Sequence, residues 1–516
     1  MNVIQSFVPP GLPPESANGH GNQDDDGDVL NHYAKHDNDR ETTRYLSAAT
    51  QMDLAYARWV VHRLVYEPYR ALAPTGGADV VTVARWALDS LRRHAKRNVW
   101  LASILFSGAA LNWLVWAFVS QHIWITASIM ITLAAAFAVV AREHWVRWHA
   151  VLVAQMLRDR FDPSRAPTPA HPATRQRLEE IAKRRDGNAV VFSGNEAFVG
   201  SGERLAREQV VIDVSRGKKE RDGTIRKPTP FTNGDLHKAF KRTIRDLGLK
   251  DLIVADRVFV NGRHVQANEE LQRDSLEPPR SMVSDDLIAR VTEHPAPDAR
   301  TYVCAEIRRW QGQLTVTLFV RAVRAGKSLY VEWSFYVLPP LTDDYKGIDR
   351  LYAPGILRAA WGTARWGVRR VIPDLLASPF GLTRDLWRRM KWEASRTRQA
   401  YQIKHGRVFN YGALRSIREE AANGRSQRHY FLGRDELMYV LLLQESLIRG
   451  IRAFLKEHNI ALAGFEGQVT TIINASYSNH SMHVGGNISG SNISVGNEAS
   501  SGWGTKPSPN QEGNHG

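Results

Sequence analysis

Two uninterrupted apolar runs dominate the pattern of hydrophobic and polar positions along the chain. Val99 to Val119 reads VWLASILFSGAALNWLVWAFV, with Asn112 its one side-chain amide and no charge. After Ser120, Gln121 and His122, Ile123 to Ala141 reads IWITASIMITLAAAFAVVA, again uncharged. Each run approaches the ~20 residues that a helix needs to cross a ~30 Å hydrocarbon core. Residues 98–141 are therefore expected to form a transmembrane helical hairpin rather than a buried pair of soluble helices. The first run begins too far into the chain to be a signal peptide.

The flanks orient the hairpin. Arg92, Arg93, Lys96 and Arg97 precede the first run, Arg142 and Arg147 follow the second, and the connecting tripeptide carries no Lys or Arg. The positive-inside rule puts both long flanks, and so both termini, in the cytoplasm. Trp100, Trp113, Trp116 and Trp124 fall near the span ends, where indoles favour the headgroup region. Ser107-Gly108-Ala109 and Ala134-Ala135-Ala136 are small enough for the two helices to approach closely. Asn112 is expected to bond within its own turn rather than across the pair.

Elsewhere the periodicities are those of a cytoplasmic α+β protein. Residues 45–97 read as a membrane-proximal helical segment: Leu54, Ala57, Val61, Leu64 and Val65 recur at helical spacing until Pro68, and Pro74 to Gly77 forms a turn. Residues 142–174 continue as a helix and then a proline-rich linker. Residues 175–341 read as a mixed α+β domain. Its strands are expected at 189–192, 209–214 and 252–260, and at 302–310, 314–323 and 328–338, where the last three form a meander. A helix over 235–247 places Leu236, Ala239, Phe240, Ile244 and Leu247 on one face. In 342–473 a basic amphipathic stretch precedes a strong helix over 437–457.

Composition changes the picture only by position. The net charge is +15, yet residues 1–44 hold eight acidic and three basic residues, a local charge of −5 that fits a disordered arm. Pro354 to His405 holds eleven basic and three acidic residues, a local +8. There Ile356, Leu357, Ala360, Trp361, Ala364, Val368, Val371, Ile372 and Leu375 share one helical face, bordered by Arg358, Arg365 and Arg369, and Pro373 is expected to bend the helix. An interfacial helix on anionic lipid fits best. A core-packing helix with a solvated basic face is the competing reading, and nucleic acid is a disfavoured third partner because no recognition motif accompanies the charge.

The tail, 474–516, changes character again: 23 of the 42 residues from Ala475 are Gly, Asn or Ser. It contains NHSMHVGGNISGSNISVGN, in which Met482, Val484, Ile493 and Val495 alternate with small or polar residues. A flexible linker accounts for the composition, but the uncharged, proline-free alternation also suits stacked β-pairing.

Candidate chemistry does not alter the reading. Ala325-Gly326-Lys327-Ser328 imitates the end of a phosphate-binding loop, but Arg321 stands where its first glycine belongs and a strand follows where a helix is needed. Gly200 and Gly202 read as a turn. Glu306 and Glu332 read as surface charge, and the single cysteine, Cys304, as a small buried hydrophobe. His32 and His36 have ligand spacing, and Asp24, Asp25, Asp26 and Asp28 cluster, but both lie in the acidic arm without a complete motif. No catalytic, cofactor-binding or metal residue is assigned.

TRYLSAATQMD, NAVVFSGNEAFVGSG, VEWSFYVLPPL and QVTTIINAS resemble segments of a family of two-span membrane proteins of unknown function from actinobacteria. The tail resembles the short C-terminal amyloid-signalling motifs of bacterial receptors and effectors. The resemblance implies a cell-membrane location and transfers no activity or site. The expectation is a membrane-anchored, non-enzymatic interaction or signalling protein, with the lipid bilayer as one partner and the tail as a self-association or protein-binding element. The alternative is a membrane-tethered effector enzyme with a dispersed site in 175–341.

Overall fold

The computed structural model describes residues 39–118, 122–185, 187–220, 222, 224–351, 355–406, 408–422 and 430–472. The chain divides into two compact units, Met1–Glu466 and Gly467–Gly516. Of the second, only 467–472 are described, and they are helical. The acidic arm through residue 38 and the alternating tail lie outside the described residues, as do His32, His36 and the four-aspartate cluster.

A six-stranded mixed sheet organises the first unit. Its strands are β1 (Ala189–Phe192), β2 (Glu203–Asp213), β3 (Leu252–Asn261), β4 (Ala299–Arg309), β5 (Leu314–Ala325) and β6 (Ser328–Leu338), in spatial order β1-β3-β4-β5-β6-β2. Only the β1–β3 pairing is parallel. The expected meander is present as β4-β5-β6. β2 starts six residues earlier than its apolar end implies, and a register shift between Arg204 and Ala206 interrupts its pairing with β6.

One face of the sheet is apolar. Val303, Ala305 and Ile307, Val316, Leu318 and Val320, and Val331, Trp333 and Phe335 project to it and are buried. Two helices cover it, Asn233–Arg245 and Tyr430–Glu457. The first opens on a reciprocal capping box between Thr232 and Asp235 and buries Leu236, Ala239, Phe240 and Ile244, as its spacing predicts. The second lays Leu443, Leu447 and Ile451 into the core, and its Ser446 hydroxyl donates to the Thr243 carbonyl at 2.9 Å.

The opposite face is polar and equally buried. A helical layer lies on that side: α1 (Arg40–Met52), α2 (Leu54–Val65), the first part of α3 (Val80–Phe118) and α5 (Pro172–Arg184). Leu46, Val60, Val61 and Leu64 pack there with Val80, Ala84, Ile181, Leu341 and Ile417. The chain enters this layer over Gly200 and Gly202, whose φ angles of +85° and +87° favour glycine. A Cβ on Gly202 would stand 2.2 Å from the Val337 carbonyl oxygen. That pair is the turn its spacing implies.

α3 is continuous over 39 residues, about 58 Å at the helical rise of ~1.5 Å per residue. Its first turns are core, with Val83, Ala84, Trp86 and Ala87 almost fully buried. Its second half leaves the body and pairs with α4 (His122–Trp145), which continues as a π-helical stretch, Val146–Val153. Both are long and apolar enough to cross a membrane, and only 17% of the most apolar window of each is buried. A core helix of a soluble protein would be mostly covered.

Candidate functional site

The hairpin and one further helix form the most distinctive surface of the molecule. Trp100, Phe106, Trp113, Trp116 and Phe118 on α3, and Ile123, Trp124, Met130 and Ile131 on α4, are all exposed. The two helices touch through small residues, for a Cβ on Gly108 would lie 2.5 Å from Thr132 Cγ2. Asn112 does bond within its own turn, donating to the Gly108 carbonyl at 2.8 Å. It also bonds across the pair, accepting from the Ser128 hydroxyl at 2.6 Å, because this close approach brings Ser128 opposite it.

The basic amphipathic stretch is a single helix, α8 (Ile356–Lys404), which runs through both Pro373 and Pro379. Pro379 deprives the Leu375 carbonyl of its ordinary i+4 donor, and the Ser378 hydroxyl donates to that carbonyl at 2.7 Å. The expected break at Pro373 does not end the helix.

α8 crosses the hairpin where its apolar runs meet the basic flanks. Val371 and Leu375 pack with Leu101, Ala136 and Val140. Gly367 sits under Phe137, whose Cε2 is 2.8 Å from where a Cβ would be, and Gly381 abuts Asn98 in the same way. Asp374, 5% exposed, receives Arg97 at 3.3 Å and Arg370 at 2.8 Å. Further along, Asp385 accepts from Arg58 at 2.9 Å, and Trp392 stacks near Tyr66 and His62. The helix is thus clamped at both ends of the crossing.

The predicted apolar face divides between two environments. Val371 and Leu375 turn to the hairpin, along a buried stripe otherwise made of small or polar residues, Ala359, Thr363, Gly367 and Ser378. Ile356, Leu357, Trp361, Val368 and Ile372 remain exposed, joined by Leu376 and Phe380. An apolar strip of this length is rare on a soluble surface.

The polar sheet face holds two ionic clusters. Glu332 accepts from the hydroxyls of Tyr302 at 2.8 Å and Tyr330 at 3.1 Å, and from Arg321 at 3.2 Å. Burial pushes its carboxyl up, but these donors and Arg207 more than offset that and hold it below the usual carboxylate range. Glu306 is bound by Arg308 at 2.6 Å and Arg257 at 3.3 Å. Neither is surface charge: each is 5% exposed, and β5 separates them, so they do not face one another.

Phe198 closes the space between these clusters, stacked 4.1 Å from Phe319 and edge-on to Phe259 and Tyr302. Cys304 lies in this layer, 2% exposed, its thiol pushed by burial to about 12, so it is a packed hydrophobe and not a nucleophile. A small polar hollow beside Gly76 and Gly200 is lined by Arg185, Arg257, Arg308 and Glu306. Its charges are largely compensated, since Arg185 and Arg308 both reach Asp39. Lys327 stands in the tight β5–β6 turn, with Gly326 at φ +60°, which gives no phosphate cradle. Among the described residues no group of three His, Cys, Asp or Glu side chains is placed to hold a metal ion.

Sequence reasoning missed the clamp because its members come from three distant segments. The one available signal was the pair of glycines, Gly367 and Gly381, in an otherwise bulky helix. Comparison with known proteins gives one match. A family model described as an AbeC-like domain covers residues 207–496, while no curated protein and no solved structure matches. The matched span begins within β2, takes in the other long strands and α8, and omits the hairpin. With more than half of its length matched, the chain belongs to the AbeC-like domain family.

Proposed function

We propose that this protein is a membrane-anchored, non-enzymatic interaction or signalling protein. The α3–α4 hairpin spans the cell membrane twice with both termini in the cytoplasm, and the sheet-containing body stands against the cytoplasmic leaflet. α8 lies at the level of the anionic headgroups, with its exposed aliphatic and aromatic strip among the acyl chains and its arginines at phosphate depth. The tail pairs with itself or with a partner through β-strands.

The observation that carries this reading is one continuous bare apolar surface. The exposed faces of α3 and α4 run into the exposed strip of α8 at the point where all three helices cross. In water such a surface would drive association, whereas a bilayer covers it. The family match supports the role given to the tail, because it extends through the alternating segment to residue 496.

Topology tests the anchor. Because Cys304 is buried, a cysteine introduced at Gln121 or Ser215 is the principal thiol available to a label. A membrane-impermeant maleimide applied to intact cells is expected to label Gln121→Cys and to reach Ser215→Cys only after permeabilisation. Labelling of both in intact cells would overturn the orientation. For the tail, removal of 474–516 is expected to abolish higher-order assembly while leaving membrane insertion intact. Unchanged assembly would remove the β-pairing role.

A further inference from the structure

The helical layer contains a cleft of about 620 Å³ whose walls are set with arginines. Along α5, Arg177, Ile181 and Arg184 follow one another at i, i+4 and i+7, so they share one face of that helix. Arg63, Glu67 and Arg70 repeat the same intervals on the other wall, where α2 ends and the chain turns at Pro68. Leu64, Val80 and Ile417 supply an apolar floor, and Arg415 stands at the rim.

The charges in this cleft do not balance. Five guanidinium groups line it against one carboxylate, Glu67, which lies 3.8 Å from Arg70. Arg63 reaches Glu420 at 3.5 Å and Arg177 reaches Glu180 at 3.3 Å, both outside the lining. Among the described residues, Arg184 and Arg415 form no ion pair. The Arg177 side chain is 15% exposed, and its Nε has no hydrogen-bond partner. Elsewhere in this body buried arginines are matched with carboxylates, as Arg308 is with Glu306 and Asp39. Gathering unmatched guanidinium groups in a half-enclosed site is unfavourable unless an anion occupies it.

We propose that the cleft binds an organic phosphate: a small molecule with neighbouring phosphoryl groups on an apolar or aromatic body. Guanidinium groups meet phosphate oxygens through paired parallel hydrogen bonds, which favours phosphate over a diffuse anion. Two walls with arginines at matching intervals suit two adjacent phosphoryl groups. The leucine, valine and isoleucine floor takes the ring or alkyl portion, and the volume lies within the ~300–1,000 Å³ usual for small-molecule sites. No covalent step is involved.

The test uses the full-length protein in detergent, titrated calorimetrically with ATP and with inorganic pyrophosphate. Saturable binding of ATP is expected, with pyrophosphate weaker because it leaves the apolar floor empty. Arg184→Gln and Arg415→Gln, at the less buried positions, should each weaken ATP at least tenfold with an unchanged Tm, and Arg184→Lys should recover part of the loss. Absence of saturable binding of either probe to the wild type, or equal affinity in both glutamine variants, would overturn the proposal. Repeating the ATP titration in phosphatidylcholine nanodiscs, with and without phosphatidylglycerol, separates the sources of phosphate. Competition by the anionic lipid assigns the site to a headgroup, and its absence assigns it to a soluble phosphate.

Discussion

Glu332 is the residue whose environment departs furthest from its appearance in the sequence. Strand alternation shows which side of β6 is apolar, but it is silent on whether the other side meets water or a second layer. Here the helices of the N-terminal segment supply that layer, so Glu332 is enclosed with Arg321, Tyr302 and Tyr330. Replacing it by glutamine leaves Arg321 without its charge partner, and the expected cost is about 3–5 kcal/mol in chemical denaturation near neutral pH. The native carboxyl titrates below its ordinary value of 4.5. Its stabilisation is therefore complete above that pH and is lost as pH falls through the lowered native value. The gap between wild type and Glu332→Gln should accordingly shrink in acid, and a gap independent of pH would contradict this account.

At the scale of elements, the hairpin, the meander and the helix over Asn233–Arg245 were legible because each carries its own periodicity. α8 was legible in charge and helical face but not in placement. Its buried stripe is made of glycine, alanine, serine and threonine, which have no apolar signature, and the residues it meets lie more than two hundred positions away. The hairpin gives a direct test of how such small residues act. Gly108→Ile would push a side chain into Thr132, so distances between spin labels on the two spans should lengthen relative to wild type. For the polar contact, a double-mutant cycle on Asn112 and Ser128 should return a coupling of roughly 0.6 kcal/mol, the usual size for hydrogen bonds between spans. Zero coupling would leave Asn112 bonded only within its own turn.

At the scale of the molecule, the arginine cleft and the α8 clamp share a reason for escaping sequence reading. Each is assembled from three segments separated by strands and loops, and each depends on where α3 sends the chain. α3 begins in the core beside Leu46 and ends among the bare apolar residues, without a break between. A continuous helix transmits rotation as well as position, so the faces of the body and the hairpin are locked in phase. One alanine inserted between Lys96 and Arg97 would turn everything beyond it by about 100°. Arg97, Asn98 and Leu101 would then leave Asp374, Gly381 and Val371. The expected result is faster amide exchange along residues 363–381 of α8 while the sheet strands keep their protection. The same alanine placed between Ser120 and Gln121 lies beyond the clamp and should leave α8 exchange unchanged. If the insertion at 96/97 also leaves it unchanged, the hairpin and the body are not coupled through α3, and α8 is held by the body alone.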